Sequence, residues 1–435
     1  MDFKQAQLDN GLTIVGEVNP AAQSVAVGFF VRTGARDETP AISGVSHFLE
    51  HMLFKGTERL SALEVNEAFD RTGAKFNAFT GEESTVYYAA VLPEHLAEVT
   101  DLWAQLMRPA LRDDDFDMEK NVILEEIAMY RDLPQFDVMD RCRAMHFGGH
   151  PCGHSVLGTE ESIGALTAEQ MRQYFHRRYA PNNLVLACCG RFDFDALVEQ
   201  TAARCGAWGM SEAGRELSFY EGTRRKESQA RGNLSRAHVC LISPAPSVQD
   251  ERRFAASLLG VVAGDETGSR LFWALVDTAR AETAGMQYEG MDGVGAFYTY
   301  IRAGAHDLDG VLDTVDGVLG ELAREGVQEK ELEAAKNKVL SALAIKSETP
   351  MGRLVDLGLN WQYLQTYRSV AEDVGAVKAV TVEQVNALLE TYPLDQYTRL
   401  VLKPGQQGAA EGGPRSECWP MNGGTYGRRE HGTSD

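Results

Sequence analysis

The chain has 435 residues, of which 44% are hydrophobic and 24% charged. At roughly 150 residues per domain this makes two or three domains with ample core, which excludes a disordered chain and a collagen-like fibre. The formal net charge of −21, from 42 basic against 63 acidic residues, argues against a nucleic-acid or anionic-membrane binder, because phosphate contacts need a basic surface.

Along the chain, 24–32 (SVAVGFFVR) reads as a strand and 43–55 as a helix stopped by Gly56. Ser61 and Glu64 form a capping box that opens a helix ending at Gly73. Strands follow at 76–80 and 85–92, and Pro93 starts a helix to about Met107. A long helix spans about 115–131. Thr167 and Gln170 cap a helix that ends near Tyr179 and runs into a strand at 184–188. The polar stretch 211–236 reads as an exposed linker with a short strand at 217–220. Thr381 and Gln384 cap another helix, ending near Tyr392 before a strand at 400–402. Elements mixed without strict βα alternation indicate an α+β fold.

The two halves read as copies. Thr167 matches Thr381 and Lys120-Asn-Val matches Lys336-Asn-Lys, at offsets of 214 (381 less 167) and 216 (336 less 120) in the same order. The expected division is therefore 1–210, a linker at 211–236, a homologous unit at 237–403 and a flexible tail at 404–435. Seven cysteines, at 142, 152, 188, 189, 205, 240 and 418, are irregularly spaced with no CxxC. They read as reduced core thiols of a cytoplasmic protein. No run reaches the roughly 18 apolar residues of a membrane span, and the first fifteen residues lack the basic and apolar regions of a secretory signal.

The sharpest chemical feature is His47-Phe-Leu-Glu50-His51. Four helical residues turn about 400°, so the two imidazoles lie about 40° apart on one face, the geometry that binds one zinc ion. Glu50 can reach a water on that metal without being a ligand, take its proton and pass it to a leaving amine. An accidental HxxEH in this chain has a roughly 2% chance. The next strong helix offers Glu119, Glu125 and Glu126 as a third ligand. Glu119 and Glu126 are seven apart and share a face to within about 20°, whereas Glu125 projects away. We assign Glu126 as the ligand and Glu119 as a residue orienting a ligand or the water.

The segment 44–57 (GVSHFLEHMLFKGT) resembles the signature of the pitrilysin/insulinase (M16) family of zinc peptidases, and 119–126 (EKNVILEE) is similar to the family's third-ligand segment. The resemblance implies two α+β units, each with a mostly antiparallel sheet, and one zinc ion per chain on His47, His51 and Glu126. Glu50 and Glu119 would be catalytic. Asn77, Ala78 and Phe79 resemble the family's substrate-edge strand, to which an extended peptide would add. Two chains would close into a hollow shell, so a homodimer or a heterodimer with a related chain is expected, acting on peptides or unfolded segments.

The second half has no HxxEH, and Ala342 stands where Glu126 falls in the first. One departure concerns 269–275 (SRLFWAL), which resembles a family run usually followed by an Arg and, seven residues on, a Tyr. Val276 occupies the Arg position here. Arg280 and Tyr288 are the candidates to replace that pair, at altered spacing. The alternative reading is a non-catalytic or weakly active subunit that needs a partner chain. His150-Pro-Cys-Gly-His154 is a rival metal site by residue type alone.

Overall fold

Two mixed sheets, of six and five strands, organise the chain, and apart from the first sheet's extra edge strand they share one strand order. The computed structural model describes residues 1–405 apart from Glu216 and Phe219; from residue 406 on, the expected tail lies outside the described residues. The first sheet runs β1 (Asp2–Gln7), β2 (Thr13–Val18), β6 (Leu184–Gly190), β3 (Val25–Val31), β5 (Thr85–Val91), β4 (Lys75–Thr80). The second runs β7 (Lys226–Arg231), β11 (Thr398–Pro404), β8 (Ala237–Ala245), β10 (Gly295–Ala303), β9 (Ala281–Gly290). In each, the β2–β6 or β7–β11 pair is parallel and the pairs beyond it are antiparallel. The fold is α+β with two units built alike.

The apolar strands are explained by covering on both faces. Val25, Val27, Phe29 and Val31 of β3 face one core, with helices of the first half, while Ala26 and Phe30 face another. Successive side chains of a strand point to opposite faces, so a run buried throughout needs a layer on each side. The second layer is borrowed. Helix Pro350–Leu364, from the second half, lays Leu354 and Leu357 on Phe30, Val86 and Ala187 of the first sheet. Gly358 permits the approach, since a Cβ there would stand 2.3 Å from the Phe30 ring.

Reciprocally, helix Pro134–Phe147 lays Val138, Cys142 and Phe147 on Cys240, Ile242 and Leu400 of the second sheet. The exchanged helices begin at prolines 216 residues apart (350 less 134), the offset of the internal repeat. A charge pair fastens each: Arg353 grips Glu17 on β2 through two bonds of 2.8 and 3.0 Å, and Asp137 meets Arg231 on β7 at 3.2 Å.

The stretch read as an exposed linker does more than connect. Its strand is β7, at Lys226–Arg231, and not at 217–220, where Leu217, Ser218 and Tyr220 lie outside any strand. Nor is the stretch exposed throughout. The Arg215 side chain is 3% exposed, bonded to Asp37 at 2.6 Å and 3.4 Å from Asp292 in the β9–β10 turn. Polarity suggested exposure, but paired charges can be buried. The six cysteines within the described residues are free and buried. Among the described residues, no helix is long and apolar enough to cross a membrane.

Candidate metal centre

The HFLEH segment forms helix Val45–Leu53, all of it buried except His51, which is partly exposed. A helix start leaves backbone N–H groups without partners. Here the Glu38 carboxylate accepts from the Gly44 N–H at 2.6 Å and the Ser46 N–H at 2.7 Å. Burial pushes the Glu38 carboxyl up to about 8, against the lowering effect of those two bonds. Ser46 Oγ lies 2.8 Å from the Tyr174 hydroxyl, which joins the helix to the Ala168–Arg178 helix.

The third acid comes from helix Asp113–Asp132, which packs on the first. His47 Nε2 and His51 Nε2 lie 3.8 and 3.5 Å from Glu126 Oε2. One ligand atom from each of the three residues falls within 4.8 Å of the others, and among the described residues this is the one such group of His, Cys, Asp or Glu. Glu125 is exposed. Glu119 accepts from His51 Nδ1 at 2.8 Å and is ion-paired with Lys55. Burial would raise the Glu119 carboxyl, but its bonds to His51 and Lys55 hold it at about 2.

These residues fit a zinc ion. Ligands at about 2.0–2.2 Å from tetrahedral zinc stand about 3.3 Å apart, close to the separations seen. Burial, and then the neighbouring His51, hold His47 well below the ordinary histidine value, so it presents a neutral ring. His47 Nδ1 is buried with no hydrogen-bond partner among the described residues. The His51 bond to Glu119 fixes the tautomer whose Nε2 lone pair faces Glu126.

Glu50 is 8% exposed, and Thr80 Oγ1 donates to its Oε2 at 2.6 Å. Thr80 ends β4, the outermost strand of the first sheet. Asn77 and Phe79 are half-buried and Ala78 is buried. The Ala78 N–H donates to Asn77 Oδ1 at 2.9 Å.

Other candidates sit elsewhere. Arg280 bonds Asp307 at 2.9 Å and also the Thr314 hydroxyl, while the Tyr288 hydroxyl donates to the Pro246 carbonyl at 2.9 Å. Both belong to the second half and are engaged within it. In the HPCGH turn, His150 accepts from the Cys152 N–H and lies 3.3 Å from the Ser218 carbonyl, while His154 meets the Ala35 carbonyl at 3.1 Å. The helix after β8, Arg253–Gly264 (RFAASLLGVVAG), holds the place of the HFLEH helix and carries no His or Glu.

Three supporting residues escaped the sequence reading: Glu38, Lys55 and Thr80. Lys55 had a signal, since it lies four residues after His51. Thr80 had none, because the register of a strand against a helix is set by tertiary packing.

Residues 13–160 match the family model described as insulinase (peptidase family M16), and residues 165–339 match that described as peptidase M16 inactive domain. The chain is similar to an uncharacterised zinc protease of Bacillus subtilis, 34% identical over 409 residues that cover 92% of this chain and 98% of that protein. It is also similar to an uncharacterised zinc protease of Mycobacterium tuberculosis, 33% identical over 413 residues covering 92% and 93%. Among solved structures, a protease from Helicobacter pylori superposes with a TM-score of 0.86 at 20% identity, over 93% of this chain and all of that one. At that identity the likeness shows the fold.

Proposed function

The chain belongs to the insulinase (M16) family of peptidases, and from that premise we propose that it is a zinc-dependent metallopeptidase, with one zinc ion per chain held by His47, His51 and Glu126. The observation that carries this is the meeting of two imidazoles and one carboxylate from two packed helices, beside a buried Glu50. Zinc, when bound, supplies a Lewis acid that polarises the scissile carbonyl and lowers the pKa of a water. Glu50 takes the proton of the attacking water and returns it to the leaving amine. Thr80 holds Glu50 in place. Glu119 orients His51. An extended peptide pairs with β4 at Asn77, Ala78 and Phe79, its main chain bonding the open sheet edge.

On this reading 1–210 is the catalytic unit and 237–403 the metal-free one, joined through 211–236, of which β7 at Lys226–Arg231 is already part of the second sheet. The location is cytoplasmic, in keeping with six buried free thiols. The substrate is a peptide or unfolded segment, enclosed when this chain pairs with a second copy or a related chain. The engagement of Arg280 and Tyr288 within the second half favours a partner that contributes to substrate binding. The test is cleavage of a mixed peptide library by wild type and Glu50→Gln, with and without a partner chain. Chelator-sensitive cleavage by wild type alone supports a self-sufficient enzyme. No difference from Glu50→Gln in either setting would favour a non-catalytic assembly role.

A further inference from the structure

The Lys55–Glu119 pair is built with more care than a chance surface contact. The Glu119 side chain is 2% exposed and that of Lys55 24%, so the pair is withdrawn from water at its acidic end. The chain leaves the HFLEH helix through a turn closed by the Lys55 N–H to the Met52 carbonyl at 3.1 Å. Gly56 follows at φ +103°, a conformation other residues rarely adopt. Arg112, at the start of the helix that carries Glu119, bonds the Thr57 carbonyl, and the Ala110 N–H bonds the Gly56 carbonyl at 3.1 Å. The lysine and its carboxylate are therefore fixed to one another through the backbone.

We propose that Lys55 is a positioning residue of the metal centre: it clamps one Glu119 oxygen so that the other stays aimed at His51 Nδ1, which turns His51 Nε2 toward the metal. The proposal rests on the zinc reading above. Its physical basis is that a buried carboxylate needs both oxygens satisfied. Without the ammonium, Glu119 is free to swing toward water, and the imidazole loses the acceptor that sets its tautomer and ring angle. Such outer partners of a ligating histidine are worth roughly 10–100-fold in metal affinity.

The test is zinc affinity of the full chain by competition with a chromogenic chelator, for wild type, Lys55→Met, Lys55→Gln, Glu119→Gln and the double variant Lys55→Met/Glu119→Gln, with apo-protein melting as the folding control. We expect Lys55→Met to raise the zinc Kd about tenfold at little change in melting. Lys55→Gln should raise it several-fold, which keeps the comparison if the methionine variant fails to fold. In the Glu119→Gln background the lysine change should add less than about twofold, because its route of action is gone. Unchanged affinity in Lys55→Met or, where that fails to fold, in Lys55→Gln would overturn the proposal, as would the same tenfold loss with Glu119→Gln already in place. No zinc on wild type would overturn the metal reading and this proposal with it, whereas wild-type binding with an indifferent Lys55 overturns this proposal alone.

Discussion

Thr80 Oγ1 donates to Glu50 Oε2 at 2.6 Å, tying the last residue of the outermost strand to the carboxylate beside the two histidines. The strand read as the substrate's docking edge and the residue read as the proton carrier thus share one hydrogen bond. A peptide adding to β4 would be placed by the same element that holds Glu50.

Thr80→Val keeps the shape of a side chain that is 1% exposed and removes its hydroxyl. We expect kcat to fall about tenfold, the scale of one lost charge-assisted bond of roughly 1.5 kcal/mol, with zinc content unchanged and KM little moved. Steady-state kinetics with metal analysis checks this. A large rise in KM at unchanged kcat would show that Thr80 serves the strand and not Glu50.

Ala78→Pro removes the edge N–H that now bonds Asn77 Oδ1. Proline is tolerated on edge strands, so the fold and bound zinc should persist while KM rises or cleavage is lost. Unchanged kinetics in a folded variant would move the substrate to another edge.

The acid sensitivity of the fold has a named contributor. Burial holds His146 down at about 4, and its Nδ1 lies 3.2 Å from Thr398 Oγ1, where the Pro134–Phe147 helix meets the second sheet. An unfolded histidine titrates near 6.5, so between these values the unfolded chain binds more protons. The stability tied to neutral His146 is fully present above about pH 6.5 and is lost as pH falls toward 4, by about 3 kcal/mol when complete. His146→Gln should flatten that part of a urea-unfolding profile relative to wild type. Identical slopes from pH 7 to 4 would contradict it.

Much of this was readable locally. The capping boxes at Ser61, Thr167 and Thr381 all form as spaced, because a cap involves residues three apart. Helical periodicity was enough to put His47 with His51 on one face and Glu119 with Glu126 on another; that Glu126 is the acid that comes together with the two histidines depends on how the two helices pack. The exchange of the helices at 134–147 and 350–364 was not legible, although both open on a proline. Their amphipathic faces show that each must cover something, but not that it is the other half's sheet. The burial of Arg215 was hidden for a related reason, since Asp37 and Asp292 are distant in sequence.

That exchange predicts joint unfolding. Arg353→Leu leaves Glu17 buried without its cation, though still bonded by the Tyr367 hydroxyl at 2.7 Å, and should cost about 3–5 kcal/mol. Adding Glu17→Leu should recover most of the loss. Wild type should melt in one cooperative transition, since each sheet takes one face from the other half. Two separate transitions in calorimetry would show that the halves are independent.

The most direct test of the metal centre is the zinc content of the purified full chain after expression with added zinc. The account predicts about one equivalent per chain, retained in Glu50→Gln and lost in His51→Ala and Glu126→Ala. Less than about a tenth of an equivalent in wild type, or undiminished zinc in both ligand variants, would contradict it.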